Sequence, residues 1–166
     1  LQFGSVRGFR YFYVDAKGAF HPGIAFGTTG VGFYGFGGGF WWNMRREGTG
    51  DLPVPGASAV AGDAPGATAS GLRFVPDEGS LGFKGMVVLG THPSPVAFNA
   101  DVALEVELQR VSTGVSLGRI TLRGDGYMMA AIAEREKAKI RCAADITYDF
   151  PTSTLHGVFA AVIDAP

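Results

Sequence analysis

Across residues 100–108 the side chains alternate without a break. Val102, Leu104, Val106 and Leu108 fall on one side, and Asp101, Glu105 and Glu107 on the other. A repeat of two is that of a β-strand; a helix would scatter these residues around its surface. The pattern returns at Ile140, Cys142, Ala144, Ile146 and Tyr148, with Lys139, Arg141, Asp145, Thr147 and Asp149 between them. Residues 81–89 and 155–163 are apolar on both sides, as suits central or covered strands. Short polar breaks separate these runs. The stretch after residue 80 therefore reads as a meander of about five antiparallel strands. Val102, Leu104, Val106 and Leu108 are expected on its dry face and the acidic residues on its wet one. A sheet with one strongly apolar face needs a cover.

One hairpin can be registered from sequence. Ser112-Thr113-Gly114 has the chemistry of a three-residue loop with Gly114 at the left-handed position. Pairing Val111 with Val115 then sets Val106 opposite Ile120, Leu104 opposite Leu122, and Glu107 opposite Arg119 on the polar face. A slip of one residue would turn every apolar side chain to the wrong side. Gly124-Asp125-Gly126 suggests a bulge, and residues 130–139 a turn leading into the next strand.

The first 47 residues are different: aromatic and rich in glycine, with eight glycines among the 17 residues 23–39. Residues 6–15 read as a strand, Ala16-Lys17-Gly18 as a turn, and residues 23–27 as a second strand. Glycine weakens a strand by roughly 0.5–1 kcal/mol against alanine, so this density implies close backbone approach or unusual φ angles. Residues 48–71 draw 17 of 24 positions from Gly, Ala, Pro and Ser, the composition of a mobile loop. The expected fold is mainly β: one domain over residues 1–166, an antiparallel meander forming a sandwich or partly open barrel. The Gly- and aromatic-rich N-terminal segment is expected to pack on it.

Charge excludes some functions. The formal net charge is −1, with 14 Lys and Arg against 15 Asp and Glu. No basic patch of the kind nucleic acid requires is present, and the longest basic run is Arg45-Arg46. No apolar run reaches about 18 residues, so no membrane span is expected. The single Cys142 rules out an internal disulfide and, on the apolar side of its strand, reads as a small buried hydrophobe. The chain begins at Leu1 without Met and ends at Ala165-Pro166, which reads as a segment of a longer protein.

Motifs for catalysis are weak. Gly30 to Gly35 matches G-x-G-x-x-G, but the FGGGFWW that follows is a poor helix start, so close packing is favoured over nucleotide binding. Asp101, Glu105 and Glu107 share a strand face. Neighbours two apart lie roughly 7 Å from each other, a spacing that suits an inverting glycosidase if a cleft surrounds it. A solvated polar face is the simpler reading. His21, His92 and His156 are scattered, so no metal site and no cofactor are expected. The better candidates for binding are the aromatics Tyr11, Tyr13, Tyr34, Trp41 and Trp42, whose rings suit stacking on sugars or anchoring a partner if exposed.

The stretches FYGFGGGFWWNM, LGFKGMVVLGTHPSPVAFNADVALEVEL, GDGYMM and ITYDFPTSTLHGVFAAV resemble segments of very long, β-rich, largely uncharacterised bacterial proteins. Some of these are suspected of belonging to extracellular or injection-system-associated assemblies. The resemblance carries no catalytic motif. It implies a non-catalytic structural or interaction module of a larger surface or assembly-associated protein, with neighbouring domains or other subunits as partners. A carbohydrate-binding module that uses exposed aromatics is the alternative, with a glycan as partner, and a glycosidase-type enzyme stands behind both.

Overall fold

A computed structural model describes residues 1–46 and 74–164. The stretch 48–71 lies outside the described residues. Eight strands follow one another: β1 (Gln2–Val6), β2 (Phe9–Ala25), β3 (Val31–Arg46), β4 (Phe74–Thr91), β5 (Phe98–Val111), β6 (Gly114–Met128), β7 (Ile140–Asp149) and β8 (Thr154–Ile163). Each pairs antiparallel with the next in a single meander sheet that does not close into a barrel. Five of the eight strands lie after residue 73, as the alternating pattern requires. The glycine- and aromatic-rich segment packs beside them edge to edge, as β1–β3 of the same sheet.

The β5–β6 hairpin keeps the expected pairs Val106 with Ile120, Leu104 with Leu122 and Glu107 with Arg119. The turn itself is tighter than expected. Val111 pairs with Gly114 across the two residues Ser112 and Thr113, and the extra residue is absorbed by a register shift between Glu107 and Leu108. Gly114 has a positive φ of 138°. Two expected breaks are absent. Ala16-Lys17-Gly18 and Gly124-Asp125-Gly126 run through β2 and β6 with continuous pairing, because their neighbours on both sides are satisfied ladder partners. The first turn instead falls at Arg7-Gly8, where both residues have positive φ (49° and 89°). That is the backbone of a type I′ hairpin, which Asn-Gly or Asp-Gly would have announced and Arg-Gly does not.

The sheet is strongly curled. Arg46 of β3 donates to Asp145 of β7 at 2.8 Å, although strands four apart in a flat sheet lie roughly 19 Å from each other. Lys17 of β2 likewise reaches Asp101 of β5 at 3.1 Å. The inside of the curve carries a small aromatic core of Tyr13, Trp41, Met44 and Phe74. The Tyr13 and Trp41 rings stand 4.5 and 4.9 Å from Phe74. Trp41 lies across the backbone at Gly82, where a Cβ would collide with its indole and with the Val106 carbonyl. Glycine there is what lets the indole fill the bend.

The sidedness of the sheet is the reverse of the expected one. Glu105 and Glu107, taken for a wet face, are 5% and 9% exposed, whereas Leu104, taken for the dry one, is 47% exposed. Val102, Val106 and Leu108 are half-buried. Cys142 shares the outer face and is exposed rather than buried. β8, expected to be central or covered, is an outer strand with Leu155, Phe159 and Ile163 exposed. Period two fixes which residues share a face but not which face turns inward. Curvature decides that, and here it closes around the charges.

Candidate functional site

The concave face is a network of ion pairs. On β2 and β4, the Lys84 ammonium donates to the Tyr13 hydroxyl at 2.6 Å and to Asp15 at 3.3 Å. Arg46 forks between Glu105 at 3.1 Å and Asp145 at 2.8 Å. Arg119 faces Asp149 at 3.5 Å. Thr121 and Thr147 share a hydrogen bond at 3.0 Å between β6 and β7. Lys84, Glu105, Glu107 and Arg123 are each less than one-tenth exposed. Buried charge on this scale is tolerated only when paired.

One end of the curve is capped by the β6–β7 connection, whose 3₁₀ turn spans Ile132–Lys137. Arg135 reaches from it to Asn99 (2.7 Å) and Asp101 (2.8 Å), with its guanidinium over the Tyr127 ring. Asn99, fully buried, donates to the carbonyls of Pro95 and Ala130. Outside the strands, Lys137 is held above its ordinary pKa by its hydrogen bond to Glu134.

The convex face is the opposite. Strand register lines up rows of outward side chains across the wall. Val14, Phe40, Phe83, Val106, Ile120, Tyr148 and Leu155 make one row. The next three run through Leu104, Val102 and Ala100 and end on Gly157, Phe159 and Ala161. These four rows contain no charged residue. Arginine returns at the margin, where the Arg110 guanidinium sits 4.4 Å above the Trp42 ring.

The five aromatics expected to bind are divided by this geometry. Tyr13, Tyr34 and Trp41 are 1%, 5% and 1% exposed on the inner side. The Tyr34 hydroxyl donates to the Thr91 carbonyl at 2.7 Å. Tyr11 is half-buried beside the aromatic core. Trp42 faces outward at the margin, so adjacent tryptophans do point opposite ways. Val31 to Gly35 of the G-x-G-x-x-G stretch lie in a strand that continues to Arg46, with no helix N-terminus to receive a pyrophosphate. Asp101, Glu105 and Glu107 do share one face. It is a packed interior, where Asp101 is tied to Lys17 and Arg135 and Glu105 to Arg46.

Sequence reading passed over Arg46, Lys84 and Arg135, the cations that organise the interior. The available signal was parity: Lys84 and Glu105 pair directly in the ladder. No group of His, Cys, Asp and Glu able to hold a metal occurs among the described residues, nor is any helix there long and apolar enough to cross a membrane. Comparison with protein-family models, with curated proteins and with solved structures gave no match.

Proposed function

We propose that the chain is a non-catalytic structural module of a bacterial surface protein, and that it forms the curved wall of a membrane-inserted β structure, with lipid against its convex face. The observation that carries this reading is the inversion: charges buried inside the curve, and four outward rows across the wall without one charge. Polar-in, apolar-out alternation is the pattern of transmembrane β-barrels and the reverse of a soluble sheet.

Dimensions support lipid as the occupant. From the row of Trp42 to that of Val31 the apolar band runs roughly 33 Å along the strands. Tilted at about 40–45°, strands of that length span the ~25 Å apolar height of such walls. The band covers on the order of 1,000 Å², against roughly 300–600 Å² for the largest apolar patch of an ordinary soluble monomer. Trp42 with Arg110 at its edge matches the aromatic and cationic margin of a bilayer. The expectation of no membrane span rested on the length of apolar runs, a measure blind to strands that alternate.

The test is refolding into phosphatidylcholine vesicles with and without brominated acyl chains. In the Trp41→Phe protein, the remaining Trp42 is expected to be quenched. In the Trp42→Phe protein, the remaining Trp41 stays bright. A protein that remains in the aqueous phase, or that is stripped from vesicles by carbonate, would sink the proposal. A soluble dimer in that experiment would point to a second protein surface as the cover.

A further inference from the structure

Three of the buried polar atoms that have no hydrogen-bond partner among the described residues belong to neighbouring side chains of the concave face: the Trp41 indole Nε1, Glu105 Oε1 and Arg119 Nε. Burying such a group unpaired costs roughly 1–3 kcal/mol, and more when it is charged, so three in one place call for an explanation. Their side chains line the same cavity, whose other walls are Arg46, Glu107 and Thr121. Its volume is ≈ 10 Å³, about the room one water molecule needs.

We infer that this cavity is a binding site for a single internal water, which joins Trp41, Glu105 and Arg119. The donor set decides the ligand. Two unpartnered N–H groups on side chains that line the space, beside the Arg46 and Arg119 guanidiniums, repel a cation. The Glu105 and Glu107 carboxylates repel an anion. What remains is a neutral species that both accepts and donates, small enough for this volume. Water accepts from the Trp41 and Arg119 N–H groups and donates to Glu105 Oε1, which satisfies all three atoms at once. Its second hydrogen is left for Glu107 or Thr121. The site lies where β3, β5 and β6 meet inside the bend, and the water substitutes for the direct contacts that curvature leaves too long. This inference does not rest on lipid covering the convex face.

The test is nuclear magnetic resonance on the folded, ¹⁵N-labelled full chain. Cross-relaxation with water is expected at the Trp41 indole proton and at the Arg119 Nε proton, with the sign of a long-lived contact. The amides of the exposed Ser112-Thr113 turn serve as the internal reference for fast hydration. In Trp41→Phe one anchor of the water is lost, and Arg119 Nε–H exchange with solvent is expected to speed at least tenfold. Absence of long-lived water contact at the Trp41 indole in the unsubstituted protein overturns the inference, whether or not the variant folds. So does unchanged Arg119 exchange in a folded Trp41→Phe protein.

Discussion

At the scale of single residues, Arg46 holds the inside of the curve together. Its guanidinium bridges β5 and β7 through Glu105 and Asp145, and all three side chains are at most 14% exposed. Replacing it with alanine strands two buried carboxylates. Removing one partner of a buried ion pair typically costs about 3–5 kcal/mol, because the surviving charge is left uncompensated. Arg46→Ala is therefore expected to lower unfolding free energy by at least that amount in urea titration. Arg45→Ala, one residue away and 3.9 Å from the partly exposed Asp77 with its own side chain 55% exposed, is expected to cost less than about 1 kcal/mol. Equal effects would show that Arg46 is not a cross-brace. Sequence could not rank these neighbours: a pair of arginines at a strand end gives no sign of which one turns inward until the fold supplies the acids, 59 and 99 residues away.

At the scale of elements, the strands were legible and their outside was not. Alternation located β5, β6 and β7 and fixed three cross-strand pairs of the β5–β6 hairpin. The long N-terminal strands were cut short in the reading because Gly18, Gly23 and Gly27 look like punctuation. Most of the β2–β3 glycines are instead points where backbones or rings pass close, as at Gly39, where a Cβ would meet the Val14 carbonyl oxygen at 2.9 Å. Of the candidate binding aromatics, Tyr13, Tyr34 and Trp41 belong to the interior. Facing was lost because period two is symmetric under inversion of the sheet. That symmetry gives a direct test on the β5–β6 hairpin. Leu104 lies mid-band at 47% exposure, and Val115, opposite Arg110 on the same outer face, lies at the hairpin margin at 57%. In water, arginine at either exposed site is expected to shift stability by no more than about 0.5 kcal/mol. In lipid, Leu104→Arg is expected to cost about 2–4 kcal/mol and Val115→Arg about 0–1 kcal/mol, since the penalty follows depth. Equal costs, measured by urea unfolding from vesicles, would remove lipid from the convex face.

At the scale of the whole molecule, the edges matter most. Among the described residues β8 is hydrogen-bonded on one side only, so alternate N–H and C=O groups of Thr154–Ile163 point away from β7. Hydrocarbon cannot satisfy them, at several kcal/mol for each unpaired group. Strand edges that stay in water are usually guarded by lysine, proline, a bulge or an inward charge. β8 carries none of the first two and no Asp, Glu or Arg, and it pairs with β7 through ten consecutive residues without a shift. It has the form of an edge that is meant to be paired. A wall standing in a bilayer therefore requires another strand along β8, whether β1 of the same chain, a further segment or a second copy. Hydrogen exchange read residue by residue in vesicles distinguishes this from an open edge. The β8 amides that point away from β7 are expected to exchange as slowly as those of β5 and β6 once the protein is inserted, and rapidly when it is held in urea-free buffer without lipid. If they exchange freely in the bilayer while β5 and β6 stay protected, the edge is in contact with water, and a wall immersed in lipid cannot have that boundary.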